Sequence, residues 1–596
     1  MGKIPQQPES EQVLQKPKES FFKKNYALLA LLAIDLIIVI IYVIHISSYT
    51  QLPSPLFGGD NYRDRGFVKN IVAGNPVWSD AFYANEIQYY GYLIPALQAG
   101  FIKLTGADID KTFLFFPILT LVISSFVWYL LGLKIFKHKK WGLLTSVSFL
   151  FLVHYISPAF ATVAYFIFFP AFLYFWLKYE QENKKMDAIF SGLFLGLLSL
   201  TYGGAFLGAL GMIVITIAIN FLAETIHNKT LLKNAFRYLK KYYLLFLVAG
   251  AIAMIYFLPL ILKYNFHSVN NVQQWGDTKI ELLGPVWVLK LLKNLFFNTT
   301  NILTIITSLI ALAGLAAIAL AKKTKETAFV LMLLLANIIT IQQHLILRPL
   351  GFTFFSEKLV FLPYFLPLFF VFGAIVLSQQ IKKELLKKIF LAGILILLVI
   401  TFTLHYNAFK NDAWVKTGQS DNTLIKAFYS LADFIETNVG KNETILSNDE
   451  SGFMLAVLSG RKVMLTRRTH ASYFVDIDKR IADATVAAYG DNISLSTKIL
   501  KRYNVKYFYV DQNLLNYPMR VRTDLKEYLT KNNVNFTEAH DRYDIAVPLD
   551  RATLLDLLII PPQKINPAFL ELWEKVYSVK IEGNVIAELY KLKEEK

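Results

Sequence analysis

Four carboxylates stand in one polar stretch near the start of the chain. They are Asp60, Asp64, Asp80 and Glu86, within SYTQLPSPLFGGDNYRDRGFVKNIVAGNPVWSDAFYANEIQYYGYLIPALQAGFIKLTG. A positioned carboxylate can take the proton of an acceptor hydroxyl or amine as that group attacks an activated carbon, which is general-base work. Asp60 and Asp64 are four apart, so on a helix over NYRDRGFVKNIV they share a face, with Asp60 near the N-terminus. The structural alternative for Asp60 is an N-cap, accepting hydrogen bonds from the free amides of the first turn. Asp64 and Glu86 are the acids that could supply a second carboxylate. A further group, His344, Arg348, Glu357 and Lys358, lies in QQHLILRPLGFTFFSEKLVFLPYFLPLFF. A lipid-phosphate leaving group needs cations near the bilayer surface, and His344, Arg348 and Lys358 are of the type that would bind it. The alternative for Arg348 and Lys358 is that they snorkel to the interface.

The elements that carry these residues are set by hydrophobicity. The 596 residues are 55% apolar, with mean hydropathy +0.42, beyond the range of a soluble protein of this size. The apolar residues fall in blocks of roughly 18–25, the length an α-helix needs to cross the hydrocarbon core. Such blocks must be helical, because lipid offers no partner to an exposed peptide group. The pattern predicts eleven spans, at 26–46, 113–135, 141–157, 161–178, 187–201, 206–223, 243–262, 301–321, 327–345, 359–378 and 388–405. Tyr202-Gly203-Gly204 divides one pair and Ser157-Pro158 another. The first block is too long for a removed signal peptide and reads as a retained anchor.

The formal charge of +17 does not imply a nucleic-acid partner. Its lysines and arginines lie in short runs between apolar blocks: 134–140, 184–185, 229–241, 322–325 and 382–388. With eleven spans all of these fall on the side of the N-terminal tail, residues 1–25, which the positive-inside bias makes cytoplasmic. The transmembrane region is then 26–405, and residues 406–596 form an extracytoplasmic soluble domain of a multi-pass cell-membrane protein. Three outer segments are long enough to hold structure: 47–111, 263–298 and everything after His405. The last reads as α/β, with LIKAFYSLADFIETNV as a helix and ETILSND and GRKVMLT as strands. STKILKRYNVKYFYVD reads as helix, turn, strand, and VIAELYKLK as a closing strand. There is no cysteine, which excludes disulfides, thiol chemistry and cysteine-ligated metal.

This layout resembles the GT-C superfamily of membrane glycosyltransferases, which includes protein O-mannosyltransferases, aminoarabinose transferases, arabinofuranosyltransferases and oligosaccharyltransferases. The resemblance rests on one anchor followed by a long first outer loop with an early acid, here Asp60 in GGDNYRDRGFVKNIVAGNPVW. It extends to the stretch QYYGYLIPALQAGFIKLTG and to the terminal α/β pattern TILSND, SGRKV and LKRYNVKYFYVD. It implies a polytopic α-helical protein that moves a sugar, with inversion, from a polyprenyl-phosphate donor to a glycan, lipid or protein acceptor on the outer face. It also implies that Asp60 is the catalytic acid position. The chain departs from the mannosyltransferase and aminoarabinose patterns in having Asn61 where a second acid follows the first. It has no WWDxG-like motif, and the turn His154–Pro158 carries no acid for a metal. Hard cations want several oxygen ligands, so no essential metal or other cofactor is expected.

Other classes fit less well. A surface-polysaccharide polymerase or ligase would place its long loops and bases later in the chain and needs no acidic first loop. A transporter should show paired ionisable groups in its spans and an internal repeat. Asp35 is the clearest charge within a span, it can equally bond between helices, and the halves show no repeat. A receptor would not account for so many spans.

Overall fold

The computed structural model describes residues 21–53, 59–153, 160–228, 230–265, 269, 285–297, 300–320, 324–343, 361–542 and 554–594. Each span read from the sequence coincides with one helix. Eight helices among the described residues are long and apolar enough to cross a membrane. They are Asn25–Ile46, Ile109–Phe136, Ala161–Glu182, Gly203–Asn228, Leu231–Tyr264, Ile302–Leu320, Leu362–Gln380 and Glu384–Asn411. The other three expected spans fall on shorter helices, Lys139–Leu152, Lys185–Thr201 and Lys325–Ile341. The helix break expected at Tyr202-Gly203 is present, between Thr201 and Gly203. The Ser157-Pro158 turn lies outside the described residues.

The helices pack through small residues where backbones approach closely. A Cβ on Gly314 would run into the carbonyl oxygen of Phe369, and one on Gly373 into that of Ile310. Asp35 is buried and accepts a hydrogen bond from Ser125 Oγ at 2.6 Å, joining the first span to the Ile109–Phe136 helix. The last long helix runs to Asn411, six residues past the expected span. Asp412 then caps a short turn by accepting from the Trp414 amide.

The C-terminal region folds as helices on two sheets. Strands β1 (Thr444–Leu446), β2 (Lys462–Val463) and β3 (Val505–Asp511) open the first sheet. Strands β4 (Met519–Arg522), β5 (Thr537–Arg542) and β6 (Leu554–Ile560) form the second, in the antiparallel order β4-β6-β5. Strands β7 (Trp573–Ile581) and β8 (Asn584–Leu592) return to the first, giving the order β2-β1-β3-β8-β7. Its β2-β1-β3 part is parallel, and β8 and β7 add antiparallel. The six elements read from the sequence are all found, over Thr423–Asn438, β1, β2, Ile493–Arg502, β3 and β8.

The loop after the first span shares this region's core, together with Phe113 and Val163 of the membrane helices. Tyr62, Phe67, Val68, Ile71, Phe82 and Tyr83 belong to the same buried cluster as Ile445, Phe453, Val457 and Val463. The Val463 amide donates to the carbonyl of Phe82 at 2.8 Å, so the loop backbone bonds to β2. The loop holds two helices, Gly59–Val72 and Leu93–Thr105. Gly66 lets the first approach the Asp449–Ser459 helix, since a Cβ there would lie 2.9 Å from Val457 Cγ1.

Candidate functional site

The sequence explains why the Gly59–Val72 helix is held so firmly. It is polar by composition, yet nine of its fourteen residues are buried, among them Arg63, Asp64, Arg65 and Asn70. Buried charges must be paired, and each is. Arg65 Nε bonds Asp110 Oδ1 at 2.6 Å, and its Nη1 bonds the Val457 carbonyl at 2.6 Å. Lys462, from β2, donates to Asn70 Oδ1 at 2.8 Å and to the Asp80 carbonyl. Burial pulls the Lys462 ammonium down to about 8. Lys69 pairs with Glu436 at 2.6 Å. The helix is thereby pinned to the following span on one side and to the C-terminal region on the other.

Asp60 lies in the first turn of that helix, where a negative charge is favoured by the helix dipole. Its side chain is 61% exposed, in contrast to the buried Asp64 four residues on. Arg63 links the two. Its Nη1 reaches Asp60 Oδ1 at 2.7 Å, while Nη2 and Nε bond Asp64 Oδ1 at 2.7 and 2.9 Å. Asp64 Oδ2 accepts from the Phe160 amide at 2.9 Å. The guanidinium lies 4.3 Å above the Tyr90 ring. Burial raises the Asp64 carboxyl to about 6, outweighing the pull of Arg63, and the charge on Asp60 pushes the same way. One exposed carboxylate is thus aimed by an arginine that a buried carboxylate holds from behind. That arrangement can accept a proton at a fixed place.

The pairing of Asp60 with Asp64 on one face is as the spacing predicts. Glu86 is engaged elsewhere: Lys263 Nζ at 2.9 Å, Tyr264 Oη at 2.7 Å and Arg480 Nη2 at 3.4 Å surround it. It ties the loop to the end of the Leu231–Tyr264 helix and to the Ile477–Tyr489 helix. Asp80 is buried and turned inward, accepting from the Phe82 and Tyr83 amides at 2.8 and 2.9 Å. His344, Arg348, Glu357 and Lys358 lie outside the described residues. Among the described residues no group of three or more His, Asp or Glu side chains could hold a metal ion.

Sequence reasoning passed over Arg63, Tyr90 and His470. The Arg63 signal was present, since it falls three residues after Asp60 and directly before Asp64. His470 Nε2 lies 3.6 Å from Asp60 Oδ1 although 410 residues separate them in the chain, a contact no local pattern encodes.

No family model matches the chain. The fold is similar to that of the Archaeoglobus fulgidus oligosaccharyltransferase, solved tethered to an acceptor peptide containing the NVT sequon. That match has TM-score 0.50 and 13% identity, over 94% of this chain and 80% of that one. It is equally similar to ArnT from Cupriavidus metallidurans bound to undecaprenyl phosphate, at TM-score 0.50 and 10% identity, over 91% of this chain and 99% of that one. The chain therefore has a GT-C-like fold: a polytopic helical membrane protein with a C-terminal sheet domain. A segment of 96 residues, 15% of this chain, is 34% identical to an uncharacterized protein of Methanocaldococcus jannaschii and covers 68% of it. By that match the chain belongs to the same family as the methanogen protein.

Proposed function

We propose that the chain is an inverting glycosyltransferase that moves one sugar from a polyprenyl-phosphate donor to an acceptor on the outer face of the membrane. The observation that carries this reading is the exposed Asp60 carboxylate, braced by the buried Arg63–Asp64 pair within a GT-C-like fold. Asp60 takes the proton of the acceptor hydroxyl or amine as that atom attacks the anomeric carbon. The carbon–oxygen bond to phosphate breaks, and polyprenyl phosphate leaves with the bonding electrons. Attack opposite the leaving group inverts the anomeric centre. His344, Arg348 and Lys358 are assigned to the donor phosphate on their chemistry and position in the sequence, and no metal is required. Of the two similar solved structures, one holds an acceptor peptide and the other undecaprenyl phosphate, the kinds of ligand this reading needs. On this reading the N-terminal tail is cytoplasmic, and the C-terminal domain stands outside with the loop it packs against.

The test is consumption of donor. Purified chain in nanodiscs, given polyprenyl-phosphate-linked sugars and envelope glycan, lipid or protein fractions, should release polyprenyl phosphate and label one acceptor. A folded chain that consumes none of these donors contradicts the reading.

A further inference from the structure

Asp60 is approached from a second side by the C-terminal domain. Strand β2 leads into the segment MLTRRTH, whose last three residues form a tight helical turn, Arg468–His470. The His470 ring is buried and fixed. It stacks on Phe453 at 4.8 Å between centroids, and its main-chain oxygen accepts from Tyr89 Oη at 3.2 Å. Nδ1 lies 3.2 Å from the Thr469 hydroxyl. A hydroxyl can donate to Nδ1, which leaves the proton on Nε2, the nitrogen that faces Asp60 Oδ1 at 3.6 Å. Burial holds the imidazole below its usual range, so the ring is a neutral N–H donor near neutral pH. The distance is somewhat longer than a hydrogen bond, and the exposed Asp60 side chain can close it by a small rotation.

We propose that His470 is a positioning residue: its Nε2–H takes one oxygen of Asp60, so the C-terminal domain completes the catalytic site that the first loop begins. The inference rests on Asp60 acting as the base. The acceptor's proton goes to Asp60, and His470 keeps its own. Arg63 fixes the carboxylate from within the helix, and His470 fixes it from the domain packed against that helix. Together they set its direction. Without His470 the carboxylate keeps Arg63 but loses one of the groups that aim it, and misplacement of this order costs about 10- to 100-fold in rate.

The experiment compares the parent with His470→Gln, His470→Phe and His470→Leu, with Asp60→Asn beside them, all in nanodiscs with saturating donor. Gln places an amide N–H close to where Nε2 stands, so kcat should stay within about threefold of the parent. Phe keeps the stacking on Phe453 but has no donor, and Leu fills the volume without one. Both should lower kcat about 10- to 100-fold with acceptor KM unchanged. A purely structural role predicts the reverse order, Phe tolerated and Gln impaired. Parent-like kcat in either apolar variant, with Asp60→Asn inactive, overturns the role of His470 alone. Parent-like kcat in Asp60→Asn overturns the base assignment and this inference with it.

Discussion

Replacing Asp64 with asparagine separates what the buried ion pair does for stability from what it does for the reaction. Asp64 is fully buried, and its carboxyl is raised from 3.8 to about 6, with burial the largest cause. Ionising a carboxyl raised by burial costs folding free energy, which the Arg63 pair offsets in part. Asparagine keeps the shape, but Arg63 donates to one Asp64 oxygen and the Phe160 amide to the other, so one of these donors would meet the new NH2 group. The variant leaves the buried Arg63 without that counter-charge and should be about 3–5 kcal/mol less stable than the parent at pH 7. The sign of the pH dependence follows from linkage. The folded carboxyl holds its proton more tightly than the unfolded one, so the stability it contributes is full below pH ~4 and lost as the pH rises through about 6. The parent-minus-variant difference should show that slope and cancel the titration of Asp80, which burial also raises to about 6. Transfer falls as well. With Asp64 neutral, Arg63 turns wholly to Asp60, the tighter pair lowers the proton affinity of the base, and kcat falls about tenfold. Denaturant unfolding in detergent between pH 4 and 8, with kcat at pH 7, measures both. A variant as stable as the parent at pH 7, or more stable, would refute the reasoning.

Two further outcomes are expected. Cysteines placed at Lys24 and Lys441 of this cysteine-free chain should react with an impermeant thiol reagent from opposite faces of the membrane, and labelling from one face would contradict the odd span count. Arg348→Ala and Lys358→Ala should each weaken binding of a polyprenyl-phosphate donor about tenfold or more while leaving acceptor KM in place. Parent-like donor binding in both would move the phosphate site elsewhere.

The spans were legible because lipid imposes a length and a composition, and neither depends on what a helix packs against. The parallel strands β1 and β3 were legible from runs such as TIL and VKYFYVD, whose residues are mostly buried. The second sheet was not. Strand β5, TEAHDR, is polar and largely exposed, so it shows no alternation to read. Asp60 and Asp64 could be paired from their spacing, but their opposite environments could not be foreseen, because Asp64 is sealed by Phe160, some hundred residues away. Glu86 looked equivalent to them in sequence, and only the Lys263, Tyr264 and Arg480 contacts mark it as a joint between elements. The first loop and the C-terminal domain are joined by contacts such as Thr50–Gly418 and Arg65–Val457, 368 and 392 residues apart, beyond any periodic signal.

The central claim is that Asp60 is the base, and the most direct measurement is the single-turnover transfer rate of Asp60→Asn beside its melting temperature. Asparagine preserves shape and can still accept from Arg63, and the Asp60 side chain is largely exposed, so stability should change by no more than about 1 kcal/mol. Loss of a general base lowers the rate about 10²- to 10⁴-fold. The account predicts a folded, inserted protein of near-parent melting temperature whose transfer is reduced by that factor. A variant that transfers sugar at close to the parent rate would contradict it.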